Sequence, residues 1–575
     1  LVVLVAIFIR FVSLDKVPPS LYYDEIDLGY QIRSLLQTGK DYRNTQSLFY
    51  FRSFNTDKTQ LPILISSLVS LPFKSPEYQV RAGTALVGVG VVILSMMIIF
   101  QLTQSLLASN LAGLVFAFSP WQIHFSRLAF EAEFALLFFF LFIQLFFSWL
   151  KSKSKISFFA SAIVLGLSVY TYRTMSLLAP LMMLVVLVIF YKDFLKMGII
   201  KSIIWVSAIL IFSVPFLYAT TLASNDQPRI NQISIFSDPL IPITVQRYRE
   251  IDSGDFQNPV VGKGATLKSK IFFNKLLSFA EKYRDNTFKN FSPDFLFLSG
   301  DPNRRHSAKN SGELIFLDAI ALFVGAYFVY SQLWDKKYLF LSILLFLGAL
   351  PSNLTQDGAN HASRLITFSG PLLIIVSLGY FNLLKSLKKS LAGKLFCILL
   401  ITVWIFTSTQ FLNNYFVHFP IKSSREFGYG FKQIADKISQ YSSSYNTVLI
   451  TDSSDQPMLY YLFWAKIPPK DSQAYGSEYG LGVIKNHYLD KVKPYHFDFP
   501  LCENQGILPL RHDTLYVVSF LNLPLDLRSD KKLIPQGIKL LDIIKYPDNE
   551  IAFYLLTRDT KDNKPIDLLK TQKCR

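Results

Sequence analysis

Cysteine is scarce in this chain: three among 575 residues, too few for a disulfide framework or a cysteine-rich zinc site. Charge is scarce as well. Charged residues make up 17% of the chain, against about 25% in an ordinary soluble domain, so too few groups remain to keep a large surface wet. With a mean hydropathy of +0.31, this excludes a single soluble globule and a disordered chain. What is present is apolar: 51% of residues are hydrophobic, with 52 Phe against 6 Trp, gathered in long unbroken runs. A formal charge of +17 could suggest nucleic acid, but the lysines collect in short loops between apolar runs, as the positive-inside rule asks of a membrane protein. The chain reads as a polytopic membrane protein with no nucleic-acid partner. Its first run opens at Leu1 without a Met, so further N-terminal residues are expected.

A helix crossing a bilayer needs about 20 apolar residues. On that basis about eleven transmembrane helices are predicted, near 1–14, 80–104, 107–121, 130–150, 157–174, 176–191, 198–219, 313–331, 338–352, 365–384 and 395–413. Lys151, Lys153 and Lys155, then Lys192, Lys196 and Lys201, Lys336 and Lys337, and Lys385, Lys388, Lys389 and Lys394 all fall on one side, the cytoplasmic one. The other side of the cell membrane receives loop 15–79, the corner 122–129, Tyr172-Arg173, loop 220–312, loop 353–364 and everything after 414. In loop 15–79, Ile26, Leu28, Ile32, Leu35 and Leu36 predict an amphipathic helix on the outer interface; another is predicted near 266–282. From 421 the apolar runs stop. Strands are predicted at Thr447–Asp452 and Thr514–Phe520, a hairpin over 538–557, and helices near 428–441 and 456–465, giving a small extracytoplasmic α/β domain over 421–575. Cys502 and Cys574 lie in that tail and could pair in an oxidising compartment. Gly262-Lys263-Gly264 lacks the strand and helix context of a phosphate loop.

Ionisable groups near hydrocarbon are costly and mark function by default. Here they are one-sided. Arg127, Glu131, Glu133, Arg173, Asp318 and Arg364 sit at or near outer helix ends, and Asp24, Glu25 and Asp27 follow shortly after the first span. A transporter or pump would place such groups near mid-membrane. Gathered at the outer face, they point to chemistry at a lipid headgroup, although helix-end charges also serve as interfacial anchors. The pair Asp24-Glu25 suits a general base and a partner that binds a cation or hydroxyl; it equally suits the start of a helix, whose positive end it stabilises. The seven histidines show no paired-ligand spacing and give no support to a dedicated zinc site.

An Asp-Glu pair opening the first outer loop of a protein with about a dozen spans and a soluble outer tail resembles the GT-C glycosyltransferases. These include the dolichyl-phosphate-mannose protein mannosyltransferases and the bacterial aminoarabinose transferase of lipid A. Ser119-Pro120-Trp121 followed by Phe125-Ser126-Arg127 and Glu131 is similar to the family's second outer corner, and Tyr170-Thr171-Tyr172-Arg173 to its third. Gly300-Asp301-Pro302-Asn303-Arg304-Arg305-His306 resembles a Gly-Asp-x-Asn-x-Arg-His segment of bacterial members, and His361-Ala362-Ser363-Arg364 a His-x-x-Arg at the outer end of a late span. The resemblance covers about residues 1–415, which it implies to be a GT-C-like transmembrane catalytic domain. It implies transfer of a sugar from a polyprenyl-phosphate donor, drawn from the membrane lipid, to a protein, lipid or glycan acceptor on the outer face. In that reading Asp24 is the base, and Glu25 and Glu131 orient the acceptor or hold a cation. Arg127, Tyr172, Arg173, Asn303, Arg304, Arg305, His306, His361 and Arg364 serve the donor phosphate and substrate, a task that suits the guanidinium fork. A divalent cation is left open, with Asp24 and Glu25 as its ligands if one binds. The rival readings are a lipid-linked-sugar flippase or transporter, which would want mid-span charges, and an oligosaccharyltransferase-like enzyme, whose Trp-Trp-Asp-type segment is not found in the tail.

The lysine-rich loops alternate with the acid-bearing ones, which fixes a topological expectation. A cysteine at Ser154 should be protected from an impermeant outside reagent and one at Ser454 labelled; the reverse labelling would put the acids on the cytoplasmic face.

Overall fold

The computed structural model describes residues 1–47, 49–53, 57–221, 229–253, 266–308, 311–388, 390–453, 456–473, 492–495, 507–508, 511–523, 526–528, 534, 537–559 and 566–567. Cys502, Cys574 and Gly262-Lys263-Gly264 lie outside them. Each predicted span overlaps a helix, but the expected eleven are not all of membrane-crossing length among the described residues. Five helices are long and apolar enough to cross a membrane: Pro76–Thr103, Glu131–Ser152, Ile199–Thr220, Ile366–Leu387 and Leu391–Lys422. The number rises to seven if two bent pairs each count as one span, Leu106–Phe118 with Pro120–Ser126 (62°) and Met175–Ile189 with Tyr191–Met197 (81°). The first bend has a simple cause. Pro120 disfavours the helical conformation at Ser119, which turns to ψ 126°, and the chain restarts with the Trp121 N–H donating to the Glu313 carbonyl at 3.2 Å. Other predicted spans lie on shorter apolar helices, Val2–Phe11, Lys155–Tyr170 and Asp318–Ser331.

Contacts divide the chain into two compact units. One comprises Leu1–Val12, Thr84–Ser126 and Phe130–Leu412, the other Ser13–Gly83, Arg127–Ala129 and Asn413–Arg575. The phenylalanine excess is used inside the first. Phe146 meets Trp149, Phe190 and Phe340 with ring centroids 5.2, 5.0 and 6.2 Å away, the offset and edge geometries that aromatic quadrupoles favour. Where helices Asp318–Ser331 and Ile366–Leu387 touch, Gly325 and Gly379 let the backbones meet: a Cβ on Gly325 would run into the Ile375 carbonyl and come within 3.0 Å of the Gly379 nitrogen. The amphipathic segment predicted near 266–282 is two helices, Leu267–Phe272 and Lys275–Asn290. Asn274 makes the break, its side chain accepting from the Leu277 N–H and capping the second helix.

The second unit joins loop 15–79 to the tail through one core. Helix Tyr23–Thr38 buries Ile26, Tyr30 and Ile32 together with Phe431, Tyr460 and Phe463, so loop 15–79 shares its hydrophobic interior with residues far along the chain. Tail strands form a five-stranded sheet in the order Val492–Tyr495, Thr447–Thr451, Thr514–Ser519, Ile551–Arg558, Ile538–Lys545. The first three run parallel. The last two form the predicted hairpin, turning through Asn549 at φ 68°, a conformation Asn tolerates. Helix Phe431–Tyr441 lies on helix Pro457–Trp464 with Phe431 stacked on Tyr460 at 4.2 Å.

The entry to helix Tyr23–Thr38 is set by a fully buried ion pair. Arg81 Nε and Nη2 donate to Glu25 Oε1 and Oε2 at 2.7 and 2.8 Å. Its remaining N–H groups go to the carbonyls of Leu14, Pro18 and Ser20. Glu25 in turn accepts from the N–H groups of Ala129 (3.0 Å) and Tyr22 (3.3 Å), the latter being the reciprocal half of a capping box. Arg81→Met strands a buried carboxylate and should cost about 3–5 kcal/mol, read as a lower thermal midpoint of the purified chain in detergent. Arg81→Met with Glu25→Gln should lose less, and an unchanged midpoint in the single variant would remove the pair from the scaffold.

Candidate functional site

Two acids of loop 15–79 share one lysine. Lys58 Nζ lies 2.7 Å from Asp24 Oδ1 and 3.7 Å from Asp27 Oδ2. Asp27 is buried; it accepts from the Tyr42 hydroxyl at 2.5 Å and the Ser53 hydroxyl at 2.6 Å. Burial pushes its carboxyl above the ordinary value, although Lys58 and the two hydroxyls pull the other way. Asp24 keeps 42% of its side chain exposed, whereas Glu25 is wholly buried against Arg81. The sequence expectation puts both acids at the reacting groups, Asp24 as base and Glu25 to orient the acceptor or hold a cation. The structure leaves Asp24 at the surface and buries Glu25 against Arg81. A cation held by Asp24 and Glu25 does not fit this arrangement. Both Glu25 oxygens are spent on N–H groups, and an ammonium already lies against Asp24.

Arg127 is also buried in the second unit. Its Nη2 donates to the carbonyls of Val17 at 2.8 Å and Ser13 at 3.3 Å, and its guanidinium lies 4.7 Å from the Phe416 ring centroid. Burial lowers its pKa to about 10. Glu131 opens helix Glu131–Ser152 half-buried, where a negative charge complements the helix N-terminus. Tyr172 and Arg173 are half-buried in the turn leading to helix Met175–Ile189.

The Gly-Asp-x-Asn-x-Arg-His and His-x-x-Arg segments come together in the first unit. Gly300 takes φ 69°, and a side chain there would press on the Ser311 carbonyl at 2.9 Å, so glycine is required before Asp301. Asp301 Oδ1 accepts the Asn303 N–H at 2.8 Å; Oδ2 accepts the Ala362 N–H at 2.8 Å and lies 3.0 Å from His306 Nδ1. Burial alone would raise this carboxyl, but the bond and charge of His306, with the Asn303 N–H, hold it below the ordinary value. Asn303 shapes the turn, its Oδ1 accepting from the Arg305 N–H at 3.0 Å. The Arg305 carbonyl lies 3.0 Å from His124 Nε2, and Arg304 and Arg305 are half-buried. The His306 and His361 rings approach to 4.8 Å between centroids. Burial and the neighbouring Arg364 hold the His361 imidazole neutral, with a pKa of about 3. Beside them Glu313, buried and close to Asp301, is pushed well up by burial first and by the Asp301 charge second. Arg364 grips Asp357 with both ends of its fork, Nη1 to Oδ1 at 2.5 Å and Nη2 to Oδ2 at 3.2 Å, and also donates to the Thr355 hydroxyl.

Sequence reasoning missed Lys58, Arg81, Asp357 and Glu313, and left Asp301 as part of a motif without a role. Only Arg81 carried a signal, as a lone arginine in the first turns of an apolar run.

Residues 54–224 match the family model of the dolichyl-phosphate-mannose-protein mannosyltransferases, and the resemblance read from the sequence holds on that match. It takes in Lys58, Arg127, Glu131 and Arg173. Among curated proteins none matches. Similar solved structures include the following three. The oligosaccharyltransferase of Archaeoglobus fulgidus in its apo form shares 12% identity over 81% of this chain and 63% of its own, with a TM-score of 0.47; this chain thus spans under two thirds of that protein's length. ArnT from Cupriavidus metallidurans bound to undecaprenyl phosphate shares 11% over 96% and 97%, with a TM-score of 0.49. Archaeal AglB from Archaeoglobus fulgidus, in complex with an inhibitory peptide and a dolichol-phosphate, shares 10% over 99% and 76%, also at 0.49.

Lys58 has a pH-dependent role that can be read directly. Without its ammonium, burial and the Asp24 charge push Asp27 further up. A carboxyl whose folded pKa is raised loses stability as pH climbs through that value. Lys58→Met should therefore lower the thermal midpoint more at pH 8 than at pH 5, while the native protein shows the smaller difference. An equal penalty at both pH values would mean that Lys58 acts by packing alone.

Proposed function

We propose that this chain is an integral-membrane glycosyltransferase of the GT-C kind, with about eleven spans and its site on the outer face of the cell membrane. It would move a sugar, of hexosyl or pentosyl type, from a polyprenyl phosphate to a protein, lipid or glycan acceptor. The observation that carries the class is the family match over 54–224. Asp24 is the base of choice within the acid pair: it alone has an exposed carboxylate, with the Lys58 ammonium 2.7 Å away. As the acceptor oxygen attacks the sugar C1, the C1–O bond to phosphate breaks with inversion. The acceptor proton passes to Asp24, and the polyprenyl phosphate leaves with the bonding pair.

The leaving phosphate needs cationic donors that can be surrendered to it. Arg364 fits, because its present partner Asp357 is an exposed side-chain carboxylate that an anionic phosphate can replace in kind. Tyr172, Arg173, Arg304 and Arg305 stand as further donors. Glu131 is assigned to the acceptor, while Glu25 and Arg127 hold together the chain of the second unit. His306 and His361 are engaged with Asp301 and with each other.

Transfer assays separate the roles. Asp24→Asn keeps the helix-capping ability of the side chain but not its basicity, so expression and binding of lipid phosphate should stay near normal while transfer falls by roughly 10²-fold or more. Arg364→Ala should weaken binding of the lipid phosphate, with only partial rescue by lysine. Near-normal transfer by Asp24→Asn would move the base elsewhere.

A further inference from the structure

Asp301, His306 and His361 form a group that the transfer reaction does not call upon. Among the described residues this is the group of His, Cys, Asp or Glu side chains close enough to hold a metal ion: one ligand atom from each lies within 4.8 Å of the others. From the arrangement we propose that these three residues bind a divalent transition metal of the zinc type, which ties the loop at 300–313 to the loop at 353–364.

The donor set is two imidazoles and one carboxylate, a combination suited to Zn²⁺ that leaves a fourth position for water. Zinc–ligand bonds of about 2.0–2.2 Å place neighbouring ligands roughly 3.3–3.6 Å apart, so side-chain rotations of about an ångström close the group around an ion. Outer support is already built. Asp301 is fixed by the N–H groups of Asn303 and Ala362, and Ser363 Oγ lies 3.1 Å from His361 Nδ1, the kind of second partner that orients a ligating imidazole. Gly300 supplies the tight approach to Asp301. The competing account is a plain His306–Asp301 ion pair at 3.0 Å. It explains one histidine and leaves out the second, whose ring lies 4.8 Å from that of His306, whereas a metal takes both rings as ligands. No spacing in the sequence announces such a site, because the Asp and the first His sit in one loop and the second His follows only after helices Asp318–Ser331 and Lys336–Asn353.

The test uses the full chain in detergent, stripped with chelator and titrated with zinc chloride against a competing chelator. About one equivalent should bind tightly. His361→Gln and Asp301→Asn should each weaken zinc binding by more than the roughly 10–100-fold that loss of a supporting outer group costs, whereas His512→Gln, in the tail, should leave it unchanged. Zinc should also raise the thermal midpoint of the native chain, as any ligand of the folded state does. This measurement decides the matter even if the variants fold poorly. Absence of a tight equivalent, or of a midpoint rise in the native chain, overturns the proposal, as does equal zinc affinity in His361→Gln. Transfer activity is not among the readouts, so the proposal and the transferase reading stand or fall separately.

Discussion

Arg81 sits with no exposed surface and gives its N–H groups to the two oxygens of Glu25 and to three backbone carbonyls, at Leu14, Pro18 and Ser20. A buried guanidinium is tolerable only when every donor is satisfied and an anion stands beside it. Here that requirement fixes four pieces of chain at once: the stretch after the first helix, the start of helix Tyr23–Thr38, the first turns of Pro76–Thr103, and the short link at Arg127–Ala129 through the Ala129 N–H. Lysine could not do this, since a single ammonium lacks the planar fork that serves a carboxylate and several carbonyls together. Asp24 is the residue preceding Glu25 in the first turn of the same helix, so the position of the exposed carboxylate follows from the burial of its neighbour.

Lys58 adds a second constraint on the same turn. Its ammonium lies between an exposed carboxylate and a buried one, and the buried one is held from below by Tyr42 and Ser53. The hydroxyl donors and the lysine together offset part of the desolvation cost of Asp27. A divalent cation would compete with Lys58 for the same ground, which is why the pair of acids does not read as a metal site once the lysine is in view.

Much of this was legible in the sequence, and the limit has a physical form. Spans announce themselves because hydrocarbon demands unbroken apolar length. The tail strands at 447 and 514 and the hairpin around Pro547-Asp548-Asn549 showed because alternation and turn residues are local. The acid pair and the histidine motifs were visible as chemistry-bearing residue types. What could not be read was that Glu25 is closed off while Asp24 stays exposed, since that depends on Arg81 and Lys58, which are brought in by tertiary folding. The boundary between loop and tail was hidden for the same reason: Tyr30 and Ile32 share a core with Tyr460 and Phe463, a pairing that no local pattern records. The break at Asn274 was missed because amphipathic periodicity continues through a cap.

The arginines of this chain divide by what they hold. Arg81 and Arg127 donate chiefly to backbone carbonyls in closed surroundings. Withdrawing either one toward a substrate would leave those carbonyls buried and unpaired, at about 1–3 kcal/mol each, so neither is free to serve a ligand that comes and goes. Arg364 holds instead a side-chain carboxylate that is 65% exposed. Exchanging that carboxylate for a phosphate replaces one charge-assisted pair of bonds with another, and Asp357 returns to water at little cost. Burial alone would have ranked Arg127 as the more remarkable cation for an anionic lipid; the identity of its partners reverses the order, because a binding residue must be able to let go of what it holds in the resting protein.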